Sequence, residues 1–132
     1  MGSEEPKKRL RATAVVMRGG KVLLVRDGGK HHFSLPGGGI EKGEPAINAA
    51  VREIWEELGL VAVKVERVRE CDHVGSVNDH HVCLVQADGN PRLRGHELSA
   101  FHWWDMKESI PLHPHVKAIL AKVGRLGKPE RH

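Results

Sequence analysis

Three glutamates lie close together in the stretch REIWEEL, at Glu53, Glu56 and Glu57. Carboxylate oxygens are the ligands that hard cations such as Mg²⁺ prefer, and two or three of them can hold such an ion beside a phosphate. Glu53 and Glu57 are an i, i+4 pair of like charges, which destabilises a helix that binds nothing. The pattern therefore has two interpretations, a solvated acidic helix face and a metal site for a phosphate-bearing ligand.

A helix is predicted for the segment from Pro45 to Leu58 that carries these glutamates. Proline suits the first helical position, the segment is rich in alanine, and Gly59 can adopt the left-handed conformation that ends a helix. At about 100° per residue, the apolar residues form one stripe and the three carboxylates leave the helix together beside it. The members of the stripe are Ile47, Ala50, Val51, Ile54 and Leu58.

The loop that leads into this helix contains three consecutive glycines, Gly37 to Gly39, after Leu35 and Pro36. Glycine lets the backbone turn tightly and brings its N–H and C=O groups close to a ligand. A glycine loop alone is weak evidence for a site. Because this loop runs directly into the glutamate helix, the two together favour the interpretation as a metal and phosphate site.

The combined stretch resembles the signature of the Nudix (MutT-like) hydrolases. That signature is a glycine, five residues, a glutamate, seven residues, and then Arg-Glu-aliphatic-x-Glu-Glu-x-Gly-aliphatic. The chain fills every specified position, with Gly38, Glu44, Arg52, Glu53, Ile54, Glu56, Glu57, Gly59 and Leu60. The resemblance implies an α/β/α sandwich and hydrolysis of a nucleoside diphosphate linked to another group, X, with Mg²⁺ or, as a substitute, Mn²⁺.

The resemblance also implies roles for single residues. Glu56 and Glu57 would be the main metal ligands, with Glu53 and the Gly37 carbonyl as further ligands. Arg52 would orient a glutamate, and Glu44 would hold the loop against the helix. A carboxylate must accept the proton of the attacking water. Glu97, on a later loop before a tryptophan-bearing strand, is our expected general base, and Glu53 is the alternative.

The remaining pattern predicts an α+β fold with a mixed sheet between helices. Predicted strands are RATAVVMR and KVLLVRD, joined by Gly19-Gly20 as a hairpin, then HFSL, VAVKVERVRE, HHVCLVQAD and LSAFHWWDM. The segment HPHVKAILAKVG has apolar residues at helical spacing and Gly124 as a stop signal.

The chain of 132 residues fits a single domain, 1–132, and we expect flexible tails at about 1–8 and 125–132. No apolar run reaches the 18 or so residues of a membrane span, and no secretory signal is visible, so cytoplasm is expected. The net charge is +4, but no basic run is interleaved with aromatics, which disfavours nucleic acid as a partner. The family resemblance implies a small-molecule nucleotide as substrate. The family resemblance makes a homodimer an option.

The identity of X is open. An ADP-ribose-type marker, a proline about sixteen residues past the signature, is absent because that position is Ser76, and the tyrosine of dinucleoside polyphosphate hydrolases is missing. Nucleoside triphosphates, including oxidised ones, are the default. A non-catalytic nucleotide sensor on the same fold is the alternative of a different class. Aromatic and histidine candidates for binding a base are Phe33, Trp103, Trp104 and His32.

One pattern lies outside the family resemblance. Cys71 and His73, and His81 and Cys83, are i, i+2 pairs. If their strands were antiparallel neighbours in the right register, four sulfur and nitrogen ligands would converge as a zinc site. Ordinary strand residues are the other interpretation of these four positions.

Overall fold

A mixed β-sheet forms the centre of the protein in the computed structural model, which describes residues 8–126. The strands are β1 (Arg9–Arg18), β2 (Lys21–Asp27), β3 (Gly37–Gly39), β4 (Val61–Arg67), β5 (His73–Val74), β6 (Asn78–Asp88) and β7 (Leu98–Trp104). The helices are α1 (Ala46–Leu58) and α2 (Pro114–Val123), and a 3₁₀ turn spans Arg69–Cys71.

The strand order along the main sheet is β4-β6-β1-β2-β7, with β3 paired to β1 and β5 paired to β6. Strands β1 and β6 are parallel, whereas the other pairs are antiparallel. The Gly19-Gly20 hairpin is confirmed, because β1 and β2 pair with Arg18 opposite Lys21. Strand β4 is irregular, with a register shift between Ala62 and Lys64.

One helix covers each face of the sheet, which confirms the α+β, α/β/α architecture. Helix α1 buries Ala49, Ala50, Ile54 and Leu58 in one core cluster, together with alternate residues of β1, β2 and β6. Helix α2 buries Val116 and Ile119 in a second cluster on the other face. Because β1 lies inside the sheet, its residues 12–16 are buried on both faces and read as a continuous apolar run.

Helix α1 ends as its sequence predicts and begins one residue later. Pro45 has extended backbone angles and precedes the helix as its N-cap. Gly59 has φ +69°, and the Leu60 amide donates to the Ile54 carbonyl at 3.2 Å. The Gly59 amide also donates to the Trp55 carbonyl at 3.0 Å, which is the bond of a left-handed glycine helix ending, and the chain turns directly into β4.

The segment before α1 differs from its prediction. HFSL forms only isolated bridges, from Ser34 to Val25 and from Phe33 to Leu112. The glycine run, predicted to be a loop, is instead the short strand β3, with Gly38 opposite Ala12 of β1. Beyond the hairpin with β2, the backbone groups of β1 need other partners, and β3 supplies them. Three glycines carry no side-chain alternation that could reveal this pairing.

The predicted tails fall mostly on residues 1–7 and 127–132, which lie outside the described residues. At the carboxyl end, Leu126 still packs against the cluster under α2, so the packed part of the chain reaches beyond residue 125. Neither described helix is long and apolar enough to cross a membrane.

Candidate active site

Arg52 organises the polar face of α1. Its Nε and Nη2 donate to the two carboxylate oxygens of Glu44 at 3.0 and 2.9 Å, and Nη2 also donates to the Gly39 carbonyl at 3.1 Å. Its Nη1 donates to Glu53 Oε1 at 2.8 Å. The two bonds from Arg52 to Glu44 lower the pKa of Glu44 to about 2. One guanidinium therefore ties the glycine strand to the helix and sets the position of the Glu53 carboxylate.

Gly38 makes room for Glu53. A Cβ at this position would lie 2.5 Å from Glu53 Oε1 and 2.6 Å from Oε2, well inside van der Waals contact. The carboxylate thus packs directly against the backbone of β3. This close approach gives a physical reason for glycine at the first position of the stretch, independent of any resemblance.

Glu57 is partly buried and lies beside Glu53. Burial, followed by the charge of Glu53 and a hydrogen bond with it, raises the pKa of Glu57 to about 8. Arg11 of β1 acts in the opposite direction, and Glu97 adds to the repulsion. Glu53, Glu57 and Glu97 therefore share one electrostatic environment, although Glu97 comes from a distant part of the chain.

The loop between β6 and β7 carries Glu97 over the end of α1. The Arg94 amide donates to the Glu57 carbonyl at 2.9 Å, and the Arg94 guanidinium lies 4.6 Å from the centre of the Trp55 ring. The Glu97 carbonyl accepts a 2.8 Å bond from the Gly28 amide. The backbone on both sides of the loop is thus fixed, while the Glu97 side chain is exposed.

The donor set of this face suits a hard divalent cation, since it consists of carboxylate and carbonyl oxygens. Gly37, the carbonyl candidate, lies at the start of β3 opposite Thr13. Glu56 points further into solvent, with its side chain 55% exposed. Within residues 8–126, no three acidic, histidine or cysteine side chains converge as a ready-made metal cage. The arrangement fits an ion that also takes ligands from water and substrate, rather than a closed structural site.

A cleft of about 790 Å³ adjoins the amino end of β1 and the carboxyl end of β3, at Gly39. Its wall includes Arg11, His80 of β6, and His113 and His115 at the start of α2. The rings of His80 and His115 are stacked with their centres 4.2 Å apart. Arg11 connects the cleft to the carboxylate face, because its charge acts on Glu57.

Both stacked histidines are neutral near pH 7. Burial, followed by the charge of Arg11, lowers the pKa of His80 to about 4. Burial, then His80 and Arg11, lowers the pKa of His115 to about 3. His80 Nδ1 is 2.8 Å from Thr13 Oγ1, and the Leu35 amide donates to His115 Nε2 at 3.3 Å.

The aromatic candidates for a base pocket do not line this cleft. Trp104 is 4% exposed and belongs to the core cluster under α2, so it packs in the core instead of facing a ligand. Trp103 lies under the Arg18 guanidinium, and Phe33 lies under that of Arg26. His32 is exposed, with its ring 5.5 Å from that of His113 at the edge of the cleft.

The four zinc candidates do not converge. His73 pairs with His80 rather than with His81, and a shift of one residue moves a side chain to the other face of the sheet. Cys71 is buried in the cluster under α2 and Cys83 in the cluster under α1. The sheet separates the two thiols, and both cysteines are free.

Two features of this region had little signal in the sequence. Arg11 lies near the start of the apolar strand β1. A charged residue at such a position ordinarily indicates only the boundary of a strand, so it did not suggest a role in a site. Trp55 lies outside the apolar stripe of α1, and its exposure of 48% shows that it faces solvent beside the carboxylates. A large aromatic on the polar side of a helix could have indicated this surface.

The acidic helix, the glycine strand that buttresses it and the α/β/α layering together define a recognisable class of domain. The NUDIX domain family model matches residues 7–123, and the chain belongs to that family. Nudix hydrolases generally use divalent metal ions and act on small nucleotide substrates.

Solved structures share the whole fold. A Chromobacterium violaceum protein assigned to the nudix hydrolase family is 28% identical and superposes with a TM-score of 0.81 over 97% of this chain and 84% of that one. A MutT NUDIX hydrolase from Burkholderia pseudomallei is 25% identical, with a TM-score of 0.73 over 89% of this chain and 99% of that one. An RNA pyrophosphohydrolase from Shewanella piezotolerans is 44% identical over 43 residues, which span 33% of this chain and 25% of that protein.

Proposed function

We propose that the protein is a Mg²⁺-dependent pyrophosphohydrolase that cleaves the pyrophosphate bond of a nucleoside diphosphate linked to a further group, with nucleoside triphosphates, normal or oxidised, as the first substrates to test. The observation that carries the proposal is the Arg52 network, which fixes Glu53 beside the partly buried Glu57. A solvated acidic face has no need of a guanidinium that holds the glycine strand, the helix and a carboxylate in one place.

In this reaction a water oxygen bonds to phosphorus while the bridging P–O bond breaks, and the electron pair of that bond leaves with the departing phosphate. A divalent ion, when bound, neutralises the charge on the phosphoryl oxygens and acidifies the water. Glu53, Glu56 and Glu57, with the Gly37 carbonyl, are the residues that would hold it. Glu97 accepts the proton of the water, a role that its exposed carboxylate near Glu57 can perform.

A substrate panel in the presence of Mg²⁺ tests the proposal. It contains nucleoside triphosphates, oxidised deoxynucleotides, ADP-ribose, dinucleoside polyphosphates and nucleotide sugars, with products measured as phosphate or pyrophosphate. We expect turnover that EDTA abolishes and that Glu57→Gln lowers about 100-fold or more. Lys64→Gln, an exposed site on β4, is the matched control. Tight nucleotide binding without any product would instead support the non-catalytic sensor.

A second candidate is hydrolysis of the 5′-triphosphate end of RNA. It is favoured by the surface beside the carboxylates, where the exposed Trp55 ring stacks with Arg94, because aromatic and arginine side chains bind unpaired bases. The relative from Shewanella piezotolerans is named an RNA pyrophosphohydrolase. A triphosphorylated RNA oligonucleotide in the same panel, with Trp55→Ala as the variant, separates this candidate from free nucleotides.

A further inference from the structure

The cleft beside β1 is rich in hydrogen-bond donors and positive charge. Arg9, Arg11 and Lys30 line it, and Asp27 is the acidic residue of its wall. Helix α2 also begins here, with Pro114 at its first turn, so the positive end of the helix dipole lies at the cleft. The local charge therefore favours an anion over a neutral group.

Arg11 provides the central donor of this wall. Its Nη2 donates to the Leu35 carbonyl at 3.1 Å, but its buried Nε has no partner among residues 8–126. A buried guanidinium with an unused N–H is costly to retain unless a ligand or water satisfies it. Arg11 also lies between the cleft and the carboxylate face, since Glu57 and Glu53 both act on its charge.

His115 adds a second donor. Because the Leu35 amide donates to Nε2, the neutral ring carries its proton on Nδ1. Within residues 8–126 the His115 side chain makes its hydrogen bond through Nε2, which leaves the Nδ1–H available to a ligand. The stacked His80 ring holds His115 in this orientation, so the two histidines present a fixed donor next to Arg11 instead of a mobile cation.

The walls of the cleft are poorly suited to a nucleobase. Neither phenylalanine nor tryptophan is among its lining residues. Its aromatic side chains are the imidazoles of His73, His80, His113 and His115, and two of these, His80 and His115, are stacked on each other. A base needs an open aromatic face, whereas a phosphate chain needs several N–H donors and positive charge.

We propose that this cleft is a phosphoryl subsite, in which Arg11 and His115 bind the phosphate chain of the substrate that extends beyond the metal-binding face. The inference rests on the proposed function and narrows the substrate class to compounds recognised by an extended phosphate chain, with the base outside the cleft. It follows that kcat/KM for an oxidised and a normal nucleoside triphosphate should agree within about threefold, because no side chain of the cleft reads the base.

Binding without metal tests the subsite separately from hydrolysis. Inorganic tripolyphosphate, inorganic phosphate and guanosine are titrated into the full chain in EDTA, and the heat of binding is measured. We expect one tripolyphosphate per chain and a dissociation constant that rises about tenfold or more in Arg11→Gln. Arg11→Lys should lose less affinity, because it keeps the charge without the planar fork. Lys64→Gln on β4 should bind as the wild type does.

Three results would overturn the subsite. These are no tripolyphosphate binding, unchanged affinity in Arg11→Gln, or guanosine binding that tripolyphosphate displaces. Inorganic phosphate bound as tightly as tripolyphosphate would indicate a free-phosphate site and would also reject the assignment to substrate. If the chain hydrolyses no compound of the panel yet binds tripolyphosphate through Arg11, the subsite stands and the hydrolase proposal fails.

A measurement on the unmodified chain covers the case in which Arg11→Gln does not fold. Histidine ring signals are followed by NMR during the tripolyphosphate titration, with the ring nitrogens labelled. The signals of His80 and His115 should shift together at one equivalent. Shifts confined to histidines outside the cleft, such as His96, would place the ligand elsewhere and refute the proposal.

Discussion

At the scale of single residues, the geometry of the site depends on which hydrogen-bond partners each side chain can reach. Arg52 uses its donors on Glu44, Gly39 and Glu53 at once, so a lysine there could keep the charge but could not span the three. The position of each carboxylate is therefore set by a neighbour and not by its own flexibility.

Glu97→Gln tests the assignment of the general base. The amide cannot accept the water proton, so kcat should fall about 100-fold or more, while the affinity for Mg²⁺ changes little. Steady-state kinetics and metal titration by calorimetry measure the two quantities. Glu53→Gln is the companion variant, and near-normal turnover in Glu97→Gln would move the role to Glu53.

Gly38→Ala tests whether the close approach of Glu53 to β3 matters for activity. The new methyl group would overlap the carboxylate oxygens, so Glu53 must move and its 2.8 Å bond with Arg52 must break. We expect kcat/KM to fall about tenfold or more, a loss of about 1.4 kcal/mol in transition-state stabilisation.

The melting temperature of Gly38→Ala should change little, because the displaced group is the end of a flexible side chain. Gly39→Ala is the matched control, since a Cβ there meets nothing within 4 Å and its carbonyl remains available to Arg52. Equal activity of the two variants would show that the contact between Gly38 and Glu53 has no catalytic consequence.

At the scale of elements, the two helix ends show how local backbone geometry positions the site. Helix α1 ends at a left-handed glycine, Gly59, whereas α2 ends at Gly124 with φ −62° in the ordinary helical region. The left-handed turn sends the chain from α1 straight into β4, and it leaves the end of α1 open for the loop that carries Glu97.

Gly59→Ala should lower the free energy of unfolding by about 1 kcal/mol or more, because alanine is strained at positive φ. Its Cβ would also lie 3.3 Å from Arg94 Cδ, so the Arg94 side chain must move slightly. Gly124→Ala should be neutral or stabilising, because a helical glycine loses more entropy on folding than alanine. Urea denaturation compares the two, and equal destabilisation would contradict the argument.

At the scale of the whole molecule, the histidine stack couples four distant segments to pH. Thr13 and His80 are 67 residues apart, and Leu35 and His115 are 80 apart. Both rings are held neutral in the folded state, with pKa values of about 4 and 3 against 6.5 for an ordinary histidine. Protonation therefore favours the unfolded chain.

The stabilisation from these rings is complete above pH 6.5 and is lost as the pH falls towards 4 and then 3. Each ring contributes a slope of up to about 1.4 kcal/mol per pH unit to the free energy of unfolding. Glu57 opposes this trend between pH 4.5 and about 8, because its pKa is raised in the folded state. The histidine contribution is thus best seen as a difference between variants.

The double variant His80→Asn and His115→Gln keeps a hydrogen-bonding group near Thr13 and near the Leu35 amide while removing both titrations. Chemical denaturation from pH 4.5 to 6.5 should show a flatter dependence on pH than the wild type, with the Glu57 contribution common to both. His96→Gln, at an exposed position, is the control. Parallel curves for the double variant and the wild type would exclude the coupling.

The sequence by itself determined what depends on neighbours along the chain. The helical period places the glutamates beside an apolar stripe, Gly59 ends the helix, and Gly19-Gly20 closes the hairpin. Each of these features is set by backbone sterics or by residues a few positions apart, so a single segment contains the information. The strand β4 was predictable for the same reason.

Only the tertiary structure decided which segments meet. The pairing of β3 with β1, the register that places His73 opposite His80, and the meeting of Arg11 with His80 and His115 at one cleft all join distant parts of the chain. Register follows from burying the whole apolar set of a strand at once, and a slip of one residue exchanges the two faces. No local sequence pattern determines the register of a strand, because packing on both faces of the sheet determines it.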